Sequence, residues 1–448
     1  MRRRSFLKAA ALTSGSLISP ISLKAKTNFR DIEFDADTYN NNSAQTIIVF
    51  LYGGASELGA NLTNIEQIAP LSQNSYEYFE NRMRITSNKL WAEAGGDALE
   101  RLLSAKEANI FRTCYSKIRD ANNNKSHGSC VSQNQRGVMS SDDSGGIIST
   151  IAQTLYEKGA ISSDAKLPFI SMEGESILYA TPDFTLESFL RPTALAADLS
   201  NPYKRRYTNR WYYYNDQERD TKGYNATRAE MDIEMDSLAQ SLNIDGDIRA
   251  NFERRVELEE FIDAIDKTTL PDQIEYDNND FAQKMESAVK ILVNNPDTKM
   301  ISIGSGGLGS WDDHNEAEDY PARKEALIGA IETALKHMKA EKKDNINIVV
   351  WGDFGRNVNL NSSNGWDHGN TQNFYTFGGK RYFNHVGIVG ETRLESTGGL
   401  NRLFLKPTST SYTFEPASIA ATLYSIYGIT NPIYLTGGFD VIKNGLLK

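Results

Sequence analysis

The sequence predicts an α/β protein: a mostly parallel sheet covered by helices on both faces, with a helical insertion. Three observations carry this. Apolar, β-branched runs recur along the chain, and most break into glycine and polar residues at their carboxyl ends, as buried parallel strands do. An amphipathic helix separates two such runs, giving the strand–helix–strand alternation of an α/β sheet. Between about residues 201 and 298 the texture becomes charged, aromatic and helix-patterned, with no strand-like run.

In chain order, the first strand lies in "AQTIIVFLYGGASELGAN" (44–61) and ends at a Gly-Gly pair. A helical segment around Leu99–Glu107 leads into a weaker second strand, "ANIFRTCYS" (108–116). The third is "LPFISMEG" (167–174), the fourth "KMISIGSGG" (299–307) and the fifth "INIVVWGDFG" (346–355). Between the last two, "ARKEALIGAIETALKHMKAEKK" (322–343) places Leu327, Ile328, Ile331, Leu335 and Met338 on one helix face. The spacing assigns residues 40–200 and 286–448 to the core and 201–285 to a helical insertion or lid. Within the insertion, "RWYYY" (210–214) could stack on a ligand or pack inside its own subdomain.

The chain has 448 residues, enough for a large core or for two or three domains. Residues 1–26 read as separate from the fold: three arginines, a weakly apolar stretch from Ala9 to about Ile21, then small residues. The stretch is too short and hydroxyl-rich for a stable membrane span. "RRSFLK" (Arg3 to Lys8) resembles the twin-arginine export signal, which predicts a periplasmic or extracellular protein that meets the twin-arginine translocase folded. Cleavage is expected near Ala25 or Lys26. Residues 1–26 hold six basic residues and no acidic one, so their loss takes the net charge from −10 to −16. So acidic a chain would repel phosphate backbones, which argues against nucleic acid as a partner. Cys114 and Cys130 could pair in an oxidising compartment across a loop of about sixteen residues.

In an open parallel sheet, ligands meet the loops beyond the strands' carboxyl ends. Three of the five histidines fall there beside carboxylates or hydroxyls: His127 after Ser126, His314 after Asp312 and Asp313, and His368 after Asp367. Asp353 and Arg356 follow the fifth strand directly. Mixed imidazole and carboxylate ligands suit a divalent ion, Zn²⁺ or Mn²⁺ before the oxygen-preferring Ca²⁺ or Mg²⁺. Such an ion would stabilise charge on a phosphoryl or sulfuryl oxygen. Arg356 offers a fork for such oxygens, and Ser126 a nucleophile that His127 or the metal could activate. The plainer alternative makes Asp353 and Arg356 a salt bridge and Ser126 a helix cap. His337 and His385 lack this context and read as structural.

The motifs "RRSFLK", "VFLYGGAS", "SHG", "GSWDDH", "GDFGRNVNLNSSNGWDHGN" and "SIAATLYSIYGI" (418–429) occur in the order found in exported proteins of domain-of-unknown-function family 1501. The chain resembles that family over most of its length outside the insertion. The resemblance implies the alkaline phosphatase and sulfatase superfamily: a three-layer α/β/α sandwich with a metal centre beside a serine or threonine nucleophile. It places Ser126 at the nucleophile position with His127 beside it, Asp312, His314 and His368 as metal ligands, and Asp353 as the acidic residue of the fifth-strand motif. Two positions depart. Ser56, followed by Glu57, stands where the family has an aspartate, and Phe354 stands where active phosphatases have a histidine. One ion held by Asp312, His314 and His368, with Asp353 nearby, is therefore expected instead of two. The implied activity is hydrolysis of a small-molecule or glycan phosphate or sulfate ester. The alternative is a non-catalytic envelope protein that uses the fold to bind a protein or glycan partner.

Overall fold

The structure, a computed structural model, describes residues 27–69, 83–140, 144–200, 247–397 and 402–448, with residue 237. The expected signal segment and "RWYYY" lie outside these residues. The centre is an eight-stranded sheet in the order β4-β3-β5-β1-β6-β7-β2-β8. Its strands are β1 Gln45–Leu51, β2 Ala108–Tyr115, β3 Phe169–Ser171, β4 Thr193–Ala194, β5 Met300–Gly304, β6 Ile346–Gly352, β7 Thr371–Gly378 and β8 Ile388–Val389. All run parallel except β7, which is antiparallel to β6 and β2. The five expected strands are β1, β2, β3, β5 and β6.

β1 sits between β5 and β6, with Val49 opposite both Ile303 and Val350. All seven of its residues are buried, because helices cover both faces of the sheet. Alternate side chains divide between two cores. Ile47, Val49 and Leu51 pack with Leu99, Met285, Leu327, Ile331 and Leu335, from helices Gly96–Ser104, Asp280–Asn294 and Tyr320–Ala340. Ile48 and Phe50 pack with Ile148, Ile151, Ile419 and Leu423, from helices Ile147–Glu157 and Ala417–Ile426. The result is a three-layer α/β/α arrangement. Each fully buried Leu, Ile or Phe contributes about 1.5–3 kcal/mol relative to exposure, which makes the sheet a rigid platform for its rim. Ile262 and Ile265, from helix Asp247–Asp266, join the first core, as does the 280–294 helix.

Two elements go beyond the sequence expectation. β7 buries Thr371, Gln372, Asn373 and Thr376, each of which makes a side-chain hydrogen bond, though Gln372 Nε2 and Asn373 Oδ1 have no partner among the described residues. Asn373 Nδ2 donates to the Glu57 carbonyl (2.8 Å), Gln372 Oε1 accepts from Gly352 N (3.1 Å) and Thr371 Oγ1 donates to the Leu405 carbonyl (2.5 Å). β9 (Thr392–Thr397) and β10 (Arg402–Pro407) form a separate antiparallel pair. It is tied to the loop after β6 by Val358 N donating to the Leu403 carbonyl at 2.9 Å.

Cys114 and Cys130 are both buried and free, so the pairing considered for them is not formed. They lie in different elements, β2 and helix His127–Arg136. Burial pushes both thiols up.

Candidate metal centre

The carboxyl ends of β1, β2, β5 and β6 open onto one rim, and their loops bring the polar clusters together. β1 leaves through Gly53, whose φ of 111° and backbone approach to the 311–312 segment exclude a side chain: a Cβ there would lie 2.4 Å from Asp312 N. In the loop after β5, neighbouring side chains turn opposite ways. Asp313 is fully buried and pairs with Arg323 of the 320–340 helix, which anchors the segment. Asp312 and His314 are left facing the rim, at 41% and 42% side-chain exposure.

After β2, Ser116 caps the short helix Lys117–Asn122 by accepting from Arg119 N. Arg119 is itself buried and clamps helix His127–Arg136 to the end of β6. It donates to the Asp353 carbonyl (2.9 Å), to Gln133 Oε1 (2.8 Å) and to Asn134 Oδ1 (2.6 Å). That clamp sets His127, the first residue of the helix, against Asp353. The segment after β6 pairs with the one carrying His368 through an antiparallel bridge at Arg356, with Gly369 N donating to the Gly355 carbonyl at 2.7 Å.

His127, Asp312, His314 and His368 thus converge, each offering one ligand atom within 4.8 Å of the others. Asp312 Oδ1 lies 3.3 Å from His127 Nε2, 3.2 Å from His314 Nε2 and 3.9 Å from His368 Nε2. His314 Nε2 and His368 Nε2 are 3.0 Å apart. Each ring turns its other nitrogen to a group that can only accept. His127 Nδ1 meets Asp353 Oδ2 (2.8 Å), His368 Nδ1 meets the Lys125 carbonyl (2.7 Å) and His314 Nδ1 meets Asp367 Oδ1 (3.3 Å). Nδ1 of His127 and of His368 then carries a proton, and the Asp367 carboxylate favours the same tautomer in His314, whose Nε2 lies 3.4 Å from the donor Arg356 Nη1; all three Nε2 atoms face inward.

Lone pairs 3.0 Å apart repel unless a cation lies between them, and His127 Nε2 is buried with no hydrogen-bond partner among the described residues. Tetrahedral ligands about 2.1 Å from an ion sit about 3.4 Å from one another, close to the 3.0–3.9 Å of the four distances given above within a group whose atoms lie within 4.8 Å. Three imidazoles, each with Nδ1 turned to an outer oxygen, and one carboxylate are a donor set for Zn²⁺ or a similar divalent ion. The residues fit such an ion.

Local fields favour the ligand forms of His368 and Asp312, and the protonated form of His127 in the metal-free chain. Burial, followed by the Arg356 charge, pushes His368 down to about 4, so it is neutral at neutral pH. Burial opposes ionisation of Asp312, but the Arg356 hydrogen bond and charge outweigh it and hold the carboxyl below its usual range. The Asp353 hydrogen bond raises His127 against its own burial, and burial raises Asp353.

The expected site residues take these places. Asp312, His314 and His368 meet in the group of four. His127, expected beside the nucleophile, lies in that group too. Asp353, expected near the ion, is 1% exposed and stands behind His127, where it also accepts from Gly53 N at 3.1 Å. Arg356, expected as a fork for substrate oxygens, is fully buried with all three side-chain nitrogens engaged. Nε donates to the Gly54 carbonyl (2.8 Å), Nη1 to the Trp366 carbonyl (3.0 Å), and Nη2 to the Gly53 carbonyl and Asp312 Oδ1. Asp353 and Arg356 therefore do not form the simple salt bridge of the plainer reading. Ser126 is exposed at the start of the 127–136 helix, and its side chain does not cap it. His337 is buried, its Nδ1 3.1 Å from the Tyr276 hydroxyl.

The two departures are filled structurally. Phe354 is buried with its ring centroid 4.8 Å from His127 and 4.6 Å from His368. It holds both imidazoles in place and offers no ligand. Ser56 Oγ accepts from Leu58 N (3.4 Å), and Glu57 Oε2 accepts from Arg356 N (2.9 Å). Asp367 and the Lys125 carbonyl were not foreseen. Asp367 precedes His368, yet it serves His314.

Glu57 gives a pH prediction. Burial pushes its carboxyl from 4.5 up to about 8, so the folded chain keeps a proton that the unfolded chain releases above pH 4.5. This proton stabilises the fold less and less as pH rises from about 4.5 to 8. Glu57→Gln retains an acceptor for Arg356 N and has no proton to lose. Its urea midpoint relative to the parent is expected to rise between pH 5 and pH 8, and an unchanged difference would refute the assignment.

The sequence matches no family model and no curated protein. Among solved structures, the chain is similar to Ps i-CgsB in complex with k-i-k-neocarrahexaose, with a TM-score of 0.37 and 11% identity over 89% of this chain and 74% of that one. It is also similar to the lipoteichoic acid synthase LtaP from Listeria monocytogenes, with a TM-score of 0.32 and 10% identity over 92% of this chain and 78% of that one. Among the described residues, no helix is long and apolar enough to cross a membrane.

Proposed function

We propose that the protein is an exported, metal-dependent hydrolase of a phosphate or sulfate ester, on the pattern of the alkaline phosphatase and sulfatase superfamily. The observation that carries this is the convergence of three Nε2 atoms and Asp312 Oδ1, with His127 and His368 held by outward hydrogen bonds and His314 Nδ1 3.3 Å from Asp367 Oδ1. The motif order from "RRSFLK" to "WDHGN" supports the family and the export route.

His127, Asp312, His314 and His368 hold one divalent ion, which when bound supplies Lewis acidity toward an ester oxygen. Arg356 keeps Asp312 ionised from behind, and burial together with the Arg356 charge keeps His368 neutral. Arg356 and the ion outweigh the carboxylates of Asp312 and Asp353, so the loaded site carries an excess of positive charge, as an anionic ester needs. Ser126 Oγ gives up its proton and attacks the phosphorus or sulfur as the ester P–O or S–O bond breaks and the alcohol leaves with a proton. Water then cleaves the Ser126 ester, releasing phosphate or sulfate and restoring the hydroxyl. The Ser126 hydroxyl is exposed, free of capping duty and at the positive end of a ten-residue helix, which lowers its proton affinity. The substrate is a small-molecule or glycan ester.

The test measures metal content and turnover of aryl phosphates and aryl sulfates. Ser126→Ala is expected to retain the ion and to lose turnover by ~10³-fold or more. A metal-loaded parent that turns over neither ester class would instead favour the second reading, an envelope protein that binds a partner. Phe354 packed where a further ligand would stand favours that reading.

A further inference from the structure

We propose that β10 is a positioning element for the metal centre, acting on two of its histidines through two adjacent arms; this rests on the metal-binding reading above. Arg402 and Phe404 are two residues apart on β10 and so lie on one face of the strand. Arg402 Nη2 lies 2.9 Å from Asp367 Oδ2, and the other oxygen of that carboxylate is 3.3 Å from His314 Nδ1. The Phe404 ring carries the Lys125 ammonium 4.6 Å from its centroid, and the Lys125 carbonyl accepts from His368 Nδ1 at 2.7 Å. The residues whose oxygens face His314 and His368 are therefore each held in turn by a β10 side chain.

The strand has the rigidity this needs. Between the two arms, Leu403 N donates to Asn359 Oδ1 (2.7 Å) and its carbonyl accepts from Val358 N (2.9 Å). Leu405 is buried in the core, and its carbonyl accepts from Thr371 Oγ1. β10 is thus pinned to the loop after β6 and to β7, the segments on either side of His368. His314 needs this support most, since it is 42% exposed, whereas His368 is 25% exposed and also packs against Phe354. An acceptor that swings lets its ring swing, and the Nε2 lone pair leaves the ion's direction. Loss of such outer partners costs ~10- to 100-fold in metal affinity.

The experiment loads the full-length protein with Co²⁺ and with Zn²⁺, and reads the dissociation constants and the visible Co²⁺ spectrum. Arg402→Ala, at a 42% exposed side chain, leaves the core intact. It is expected to weaken both metals by ~10-fold and to shift the Co²⁺ bands. Arg402→Lys restores a cation to Asp367 and should recover most of the affinity. Phe404→Leu keeps an apolar side chain in the core, removes the ring face under Lys125, and should weaken binding through His368 in the same way. Affinity and spectrum unchanged in both Arg402→Ala and Phe404→Leu would overturn the positioning role while the metal site stands. A parent protein that takes up neither metal would overturn the metal site itself, and this inference with it.

Discussion

Asp312→Ala is expected to lower metal affinity by more than ~100-fold and to abolish ester turnover, because loss of an outer partner alone costs ~10- to 100-fold and Asp312 is the only carboxylate in the group of four. Its Oδ1 lies between 3.2 and 3.9 Å from all three Nε2 atoms. Without it, three imidazoles and the buried Arg356 would have to accept a divalent cation with no negative charge among the ligands. The fold should survive, since the Asp312 side chain is 41% exposed and Arg356 keeps its backbone carbonyl acceptors. The metal-free variant should nonetheless lose about 1–3 kcal/mol, because a buried guanidinium loses its charged partner. Metal titration, aryl ester turnover and urea unfolding measure the three effects separately. An Asp312→Ala protein that still binds one ion per chain with the parent's affinity would remove this residue from the site, and with it the proposed centre.

Much of the fold was legible in the sequence, and the misses share a physical cause. β1, β2, β3, β5 and β6 announced themselves because strands buried on both faces read as apolar runs. β7 did not, since Thr371, Gln372, Asn373 and Thr376 are buried by making hydrogen bonds, and a hydrogen-bonded polar residue leaves no hydropathy signal. For the site, the strand-end placement of His314 and His368 sufficed to foresee their meeting, since parallel strands deliver their loops to one rim. The resemblance put Asp312 with the histidines and Asp353 nearby, but that His127 joins the group and that Asp353 stands behind it was not legible. Asp353 and Asp312 both follow strands in the same sheet, and only the Arg119 clamp on helix His127–Arg136 sends His127 to Asp353. The depth of Arg356 was hidden for a similar reason. A motif gives the residue type, whereas its acceptors are the carbonyls of Gly53, Gly54 and Trp366, and carbonyls carry no sequence signature.

Arg356→Met should therefore act first on stability. Methionine keeps the apolar stem and removes every donor, leaving the carbonyls of Gly53, Gly54 and Trp366 without this partner and Asp312 without its counter-charge. Breaking a buried charged network from one side costs about 3–5 kcal/mol. The urea midpoint should fall accordingly in metal-free protein, where catalysis plays no part. The metal site should weaken as well, because Asp312 loses the charge that keeps it ionised, and His368 loses a cation that keeps it neutral and becomes easier to protonate. Competition by protons for His368 should then extend to higher pH than in the parent. An arginine that served only as a clamp on substrate oxygens would behave differently: Arg356→Met would keep the parent's urea midpoint and metal affinity and lose kcat/KM alone. The two roles are thus separated by an experiment that needs no substrate. A parent-like midpoint would place the guanidinium's contribution in the reaction, and a lowered one would place it in the architecture that holds the rim together.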